Sequence, residues 1–416
     1  MGLYIWELDK VTEVVAMKKY LNLCNIYILL WCLYYLQGIV YAEGSAISQM
    51  ILLIIMSISA FYFVYVNRTW KVPPFMRVLN LFIAVMTIYG IALIFDPQPI
   101  YAGFILSETL AKHEPLKSIY MSMLPIFVMY YASKRGLLTI RVIQIITFVL
   151  LLSVTLTYFR VQNQMLQEAM KLGFQQEEFT NNTGYQFLAL FPLLFFFLRR
   201  PFVQYLLMAY IFTFIVMGMK RGAIIIGIIC LVWFIYRLYS SSSHRNRVYI
   251  VVLTVIALIV GVSQIMDFYQ TSEYFQYRVT QTMEGDSSAR DGIYSTLWNN
   301  LKEERSIIRL FFGNGAMASV RIAGTFAHND WLELAVGQGL FGIGIYALYF
   351  LTLLREFLLA KQDALRYNIL GMLLLIMFTS SLFSMSYDSL SLSTTICLGY
   401  CMAHHNSKRL ENSLSN

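Results

Sequence analysis

Three stretches of this sequence hold residues whose types and spacing can do chemistry. In Met217-Gly-Met-Lys-Arg-Gly-Ala223 the basic pair Lys220 and Arg221 stands between two apolar runs. The chemistry it predicts is anion binding. The pair opens a helix, Gly222 permits close backbone approach, and the unpaired N–H groups of a helix start add partial positive charge. Snorkelling of the two side chains to lipid phosphates is the plainer alternative. In Gly285-Asp-Ser-Ser-Ala-Arg-Asp-Gly-Ile-Tyr294, Arg290 offers a planar fork suited to a phosphate. Flanked by Asp286 and Asp291, it is equally suited to a surface ion pair. The third stretch is Thr325-Phe-Ala-His-Asn-Asp-Trp-Leu-Glu-Leu-Ala-Val-Gly-Gln-Gly-Leu-Phe-Gly342, in which His328 can take up a proton near neutral pH. Asn329 or Asp330 can cap the helix that follows, and Asp330 and Glu333, three apart, share a helix face. Gly337, Gly339, Gly342 and Gly344 predict tight helix packing without a strict GxxxG motif.

Together the three stretches predict more than any one of them. Arg221 and Arg290 can neutralise a diphosphate, and His328 can deprotonate a sugar hydroxyl. No Asp-x-Asp pair falls on the same side of the membrane. The arginines would therefore do the electrostatic work of a metal, and neither a metal nor another cofactor is expected.

The elements that must position these residues are membrane spans. Of 416 residues 58% are hydrophobic and 13% charged, against about 25% charged in a soluble domain. Twelve apolar runs approach or reach the length that crosses a bilayer as a helix. They lie near 23–41, 48–66, 76–95, 118–133, 140–158, 184–198, 202–218, 222–239, 248–266, 332–354, 367–385 and 389–404. Backbone closure in lipid makes them helices rather than barrel strands. Glu7, Asp9, Lys10 and Glu13 precede the first run and no small-residue cleavage site follows it, so it reads as an uncleaved insertion signal.

Lys and Arg cluster in alternate short connections, which places both termini in the cytoplasm. The formal charge of +8 is thus a topology signal, and no nucleic-acid partner is implied. Lys220 and Arg221 violate this bias, sitting on the outer side. Outward, too, are only His113 and His328 of the five histidines. Cys24, Cys32, Cys230, Cys397 and Cys401 all lie in apolar runs, and no disulfide framework results. Cys397 and Cys401 beside His404 and His405 read as packing and surface rather than a metal site.

The fold class expected is an all-α integral membrane protein of about twelve transmembrane helices. A large periplasmic loop containing short helices joins the ninth and tenth. The chain divides into a bundle at 1–266, a catalytic loop at 267–331, and three further spans with a cytoplasmic tail at 332–416. In the outer segments, Asp291 to Leu301 predicts an amphipathic helix lying on the membrane and Gln162 to Phe174 shows helical periodicity.

With His328-Asn-Asp-Trp-Leu-Glu-Leu and Gly339-Leu-Phe-Gly342, Lys220-Arg-Gly-Ala223 opening a span, and Gly285-Asp-Ser-Ser-Ala-Arg290 followed by Gly313-Asn-Gly315, the sequence resembles the O-antigen polymerase and O-antigen ligase superfamily of polytopic bacterial glycosyltransferases. The likeness covers about 215–350. The family turn often reads Ser-Arg-Gly where this chain has Lys220-Arg221-Gly222. The resemblance implies an undecaprenyl-diphosphate-linked oligosaccharide donor held by Arg221 and Arg290, and an acceptor hydroxyl activated or oriented by His328. Lys220, Asn329, Asp330 and Glu333 are then expected to complete the diphosphate and glycan contacts. A second lipid-linked glycan as acceptor makes a polymerase of O-antigen, capsular or exopolysaccharide repeat units. Lipid A core as acceptor makes a ligase. A flippase and a chain-length regulator are the protein partners that go with such an enzyme in the inner membrane. From other classes, a transporter of the same lipid-linked sugar would call for repeat symmetry or mid-span charges, which the sequence lacks. A membrane acyltransferase would leave the outward arginines without a role.

Overall fold

Apolar residues too numerous for one soluble core are stored in a bundle of helices. A computed structural model describes residues 23–95, 108–171, 181–198, 200–241, 247–252, 290–384, 386–387 and 390–405, with scattered positions between 254 and 280. Most of the expected ninth span, most of the loop before Arg290, and the side chain of His113 lie outside the described residues.

The helices are α1 (Leu23–Tyr35), α2 (Ala46–Thr69), α3 (Pro74–Phe95), α4 (Glu108–Met123), α5 (Pro125–Lys134), α6 (Ile140–Lys171) and α7 (Gly184–Leu188), followed by a 3-10 segment (Phe191–Phe197). After it come α8 (Pro201–Met217), α9 (Arg221–Ser241), α10 (Arg290–Glu303), α11 (Ile307–Phe312), α12 (Ala318–Ala323), α13 (Asp330–Leu359), α14 (Ala364–Phe383) and α15 (Leu392–Ala403). Among the described residues six helices are long and apolar enough to cross a membrane, and there is no strand element. The protein is an all-α membrane protein.

Several expected spans take a form that hydropathy does not show. The run at 118–133 is two helices, α4 and α5, with Pro125 at the first position of the second, where its missing N–H is harmless. The run at 140–158 extends as one helix of 32 residues to Lys171, about 48 Å, so it absorbs the helical pattern seen near Gln162. The run at 184–198 is not lipid-facing. All seven residues of the 3-10 segment Phe191–Phe197 are buried. Amides from neighbouring helices meet its carbonyls: Gln144 Nε2 donates to Phe196 O at 2.8 Å and Gln204 Nε2 to Leu194 O at 3.0 Å. Irregular backbone survives at membrane depth only when wrapped in protein in this way.

The largest departure is in α13, which breaks at Gly339 (φ 65, ψ −158). The break frees the carbonyls of Val336 and Gly337, and the segment after α11 takes them. Asn314 N–H donates to Val336 O and Gly315 N–H to Gly337 O, both at 2.9 Å. Two glycines make the approach possible. A Cβ on Gly339 would lie 2.6 Å from the carbonyl oxygens of Leu310 and Phe311, and one on Gly313 (φ 72) would strike the backbone of Gly337 and Gln338. The close packing expected from the glycine spacing is thus packing of backbone on backbone. Gly339→Ala should destabilise the protein by on the order of 3 kcal/mol, through a backbone region open essentially to glycine plus a collision. Thermal unfolding in detergent checks this. A melting temperature equal to the parent's would show that the contact yields cheaply.

Before the break α13 faces two ways: Leu332 and Val336 join Leu297, Ala318 and Ala327 of the neighbouring segments in a small core, while Trp331 and Leu334 pack into the main core of the bundle. The part after Gly339 lies wholly in the bundle, where α13 packs on α3 and α14. At its far end the fully buried Glu356 accepts from His405 Nδ1 at 2.5 Å and faces Arg366 at 3.7 Å. Arg366 also donates to the Cys401 carbonyl at 3.1 Å. His405 and the Cys401 carbonyl thus belong to a tie that fastens the end of α15 to α13 and α14, while Cys397 packs in the main core.

Candidate functional site

The C-terminus of α14 organises the opposite end of the bundle. A helix C-terminus leaves carbonyls without intrahelical partners, and two of the expected site residues take them. Arg290, the first residue of α10, donates from Nη1 to Phe383 O at 3.2 Å. Asn329 donates from Nδ2 to Leu382 O at 3.2 Å. Asn329 also caps α13, its Oδ1 accepting from Leu332 N–H at 3.0 Å, so the capping alternative resolves to Asn329. Gly222 at the start of α9 lies against Phe383 as well. The N-termini of α9, α10 and α13 therefore meet around one helix end, each bringing partial positive charge.

His328 sits between these groups. Its side chain is exposed, and its φ of 51° is in the left-handed region. A residue with a β-carbon is held there only by its surroundings, at a cost of about 1–3 kcal/mol. Met219, the residue before Lys220, has φ 49°, so both turns that carry expected site residues are built around such a position. Desolvation by the surrounding protein first, and then the positive charges of Arg290 and Lys220, hold the His328 imidazole below its ordinary value of 6.5. The last two influences place Lys220, Arg290 and His328 within electrostatic reach of one another. Arg221 opens α9 directly beside Lys220.

Neutral imidazole is the form that accepts a proton, so this environment keeps His328 competent as a base at neutral pH. Any turnover that uses it should be constant above the depressed value and fall as pH drops through it. The acid limb of kcat/KM should lie below 6.5, and Lys220→Gln, which removes one repelling charge, should move it to higher pH. An unmoved limb in a pH–rate profile of that variant would mean that His328 is not the group titrating.

Two residues expected to contact substrate are placed elsewhere. Asp330 is fully buried. Its Oδ2 accepts from Tyr346 at 2.6 Å and from Ser386 Oγ at 2.7 Å, and its Oδ1 from Ser386 N–H at 2.8 Å. Glu333, also buried, accepts from Ser319 Oγ at 2.7 Å and from Ala327 N–H at 3.0 Å. Each carboxylate is turned into the protein, where it pins a connecting segment. Asp330 holds the α14–α15 connection and Glu333 the segment leading into His328. Being three apart gives them neighbouring places on α13 but different partners. In this structure both carboxylates are engaged by the protein itself.

Other residues line the site. Tyr294 donates to the His328 carbonyl at 3.5 Å and hydrogen-bonds Asn329, and burial raises its phenol's pKa. Four residues after Arg290, it shares that residue's helix face, a signal present in the sequence. Tyr185 hydrogen-bonds Ser384 and lies in the field of Arg290. A Cβ on Gly222 would collide with the Tyr185 hydroxyl. The room that Gly222 leaves is thus filled by a phenol from α7. Nothing in the sequence links Tyr185 to this end of the molecule.

Among the described residues no three His, Cys, Asp or Glu side chains gather as a set of metal ligands. The arrangement can attract an anion to the ring of helix starts and take a proton beside it. Compared with known proteins, the chain matches no family model and no curated sequence.

Proposed function

We propose that this protein is an undecaprenyl-diphosphate-dependent glycosyltransferase. Within that class we infer a polymerase of oligosaccharide repeat units at the periplasmic face of a bacterial inner membrane, with twelve spans and both termini cytoplasmic. The observation that carries the proposal is the meeting of Lys220, Arg290 and the His328 imidazole around the end of α14. A donor whose lipid stays in the bilayer brings its diphosphate to that level. Lys220, Arg221 and Arg290 stabilise the charge that grows on the diphosphate as the glycosidic C–O bond breaks. The acceptor hydroxyl attacks the anomeric carbon, and its proton passes to His328. The bond pair leaves with the lipid diphosphate.

The test is purified protein in liposomes given one defined lipid-linked oligosaccharide as donor, with lipid A core and a second lipid-linked glycan as competing acceptors. Elongated lipid-linked product, formed without an ion gradient and in the presence of EDTA, is the expected result. Transfer to lipid A core would make the protein a ligase. Movement of intact donor across the bilayer without a new bond would make it a transporter. A strict Mg²⁺ requirement would contradict the role given to the cationic side chains.

A further inference from the structure

The broken helix α13 fixes where the membrane surface lies on this protein. The stretch 340–359 after the break is about 30 Å of helix, which equals the hydrocarbon thickness by itself. In the shorter first half, Leu332 and Val336 join the small core with α10 and α12. The break at Gly339 thus stands one hydrocarbon thickness from the far end of α13.

Helix α11 packs on that break through the contacts of Gly313 and Gly339. Its sequence is Ile-Ile-Arg-Leu-Phe-Phe, and none of its residues is buried. Ile307 is 73% and Ile308 72% exposed, and Phe311 and Phe312 are about half exposed, at 48% and 52%. A helix this apolar has no reason to remain in water. Its surface continues without interruption into the exposed Leu340, Phe341, Leu348 and Leu351 of α13, the face that the spanning half turns to lipid. Phe311, Phe312, Leu340, Phe341, Ile345 and Leu348 line a shared groove of about 300 Å³ between the two helices. At the N-terminal end, Ser306 caps α11, its Oγ accepting from Arg309 N–H at 3.4 Å, and Arg309 pairs with Glu304 at 3.7 Å. Apolar side chains on one side and a charged pair at the end are the make-up of a helix that lies in the interface.

We propose that α11 is an interfacial anchor. Ile307, Ile308, Phe311 and Phe312 enter the acyl chains of the leaflet on the His328 side, and phospholipid chains fill the groove. The anchor is tied rigidly to the site. Asn314 and Gly315 bond the break itself, Arg321 of α12 donates to the Asn314 carbonyl, and Tyr89 of α3 donates to the Phe312 carbonyl at 2.5 Å. The anchor sets the height of the loop above the bilayer whether or not the protein transfers sugars, so the inference rests on membrane embedding alone.

The test places the photo-crosslinker p-benzoylphenylalanine at one position at a time in the full-length protein. The protein is reconstituted in vesicles of phosphatidylethanolamine and phosphatidylglycerol that contain no polyprenyl lipid. Positions are Ile308, Leu351 on the lipid face of α13, and the exposed Ser295 of α10. After irradiation, intact-protein mass spectrometry should show phospholipid adducts at Ile308 in yields comparable to Leu351 and at least about ten times those at Ser295. Two results would overturn the proposal. One is an Ile308 yield no higher than that of Ser295. The other is crosslinking of Ile308 to protein, from this chain or a second copy, which would mean that a polypeptide covers α11.

Discussion

Replacing Arg290 with alanine should lower glycan transfer by about a thousand-fold or more while the protein stays folded in the membrane. The guanidinium carries five donors, and one of them holds it to the Phe383 carbonyl. Its removal takes away both charge and fork at the point where, in the proposed reaction, the leaving diphosphate gains charge. The same change leaves the α14 terminus with one fewer partner at an exposed position, a small loss of stability. Arg290→Lys should fall between, since it keeps charge and loses the bidentate geometry. His328→Ala should cost about 10²–10⁴. Glycan ladders from cells carrying each variant, normalised to protein in the membrane fraction, measure this. Normal ladders from both alanine variants would remove the chemistry assigned to the two residues.

Asp330→Ala should act through folding. Three donors, the Tyr346 hydroxyl and the partly buried Ser386 N–H and hydroxyl, converge on this carboxylate, and alanine removes the acceptor of all three. Partial relaxation brings the loss to about 3–5 kcal/mol, given about 1–3 for each orphaned group. Ser386 lies in the connection that follows Phe383 and Ser384, so slackness there reaches Arg290, Tyr185 and Asn329 together. A lowered melting temperature should therefore accompany lost transfer, whereas Arg290→Ala loses transfer alone. Asp330→Asn keeps an acceptor for the two hydroxyl groups and should lose less of both. If Asp330→Ala kept its melting temperature and lost only turnover, the carboxylate would be acting on substrate after all.

The contrast between Arg290 and Asp330 separates what the residue pattern reveals from what it hides. The motif around His328 is legible because acids, an amide and an imidazole within six residues are conspicuous beside an apolar run. Their division of labour is not. A carboxylate reads the same whether it faces a ligand or a serine hydroxyl, and only the partners of Asp330 and Glu333 tell which. The basic pair at Lys220 is legible through its conflict with the charge bias. That Arg290 would meet it depends on where α10 lands, which no local signal encodes.

The sequence by itself determined that the chain is helical and embedded in a membrane, and which residue types were available for chemistry. Long runs without charge must close their hydrogen bonds internally, and any helix does so without reference to its neighbours. The break at Gly339, the buried 3-10 segment at Phe191–Phe197, the phenol of Tyr185 over Gly222 and the gathering of three helix starts at α14 were decided by tertiary structure. Each needs a partner distant in sequence to accept or donate a bond, or to fill a space that a missing β-carbon leaves.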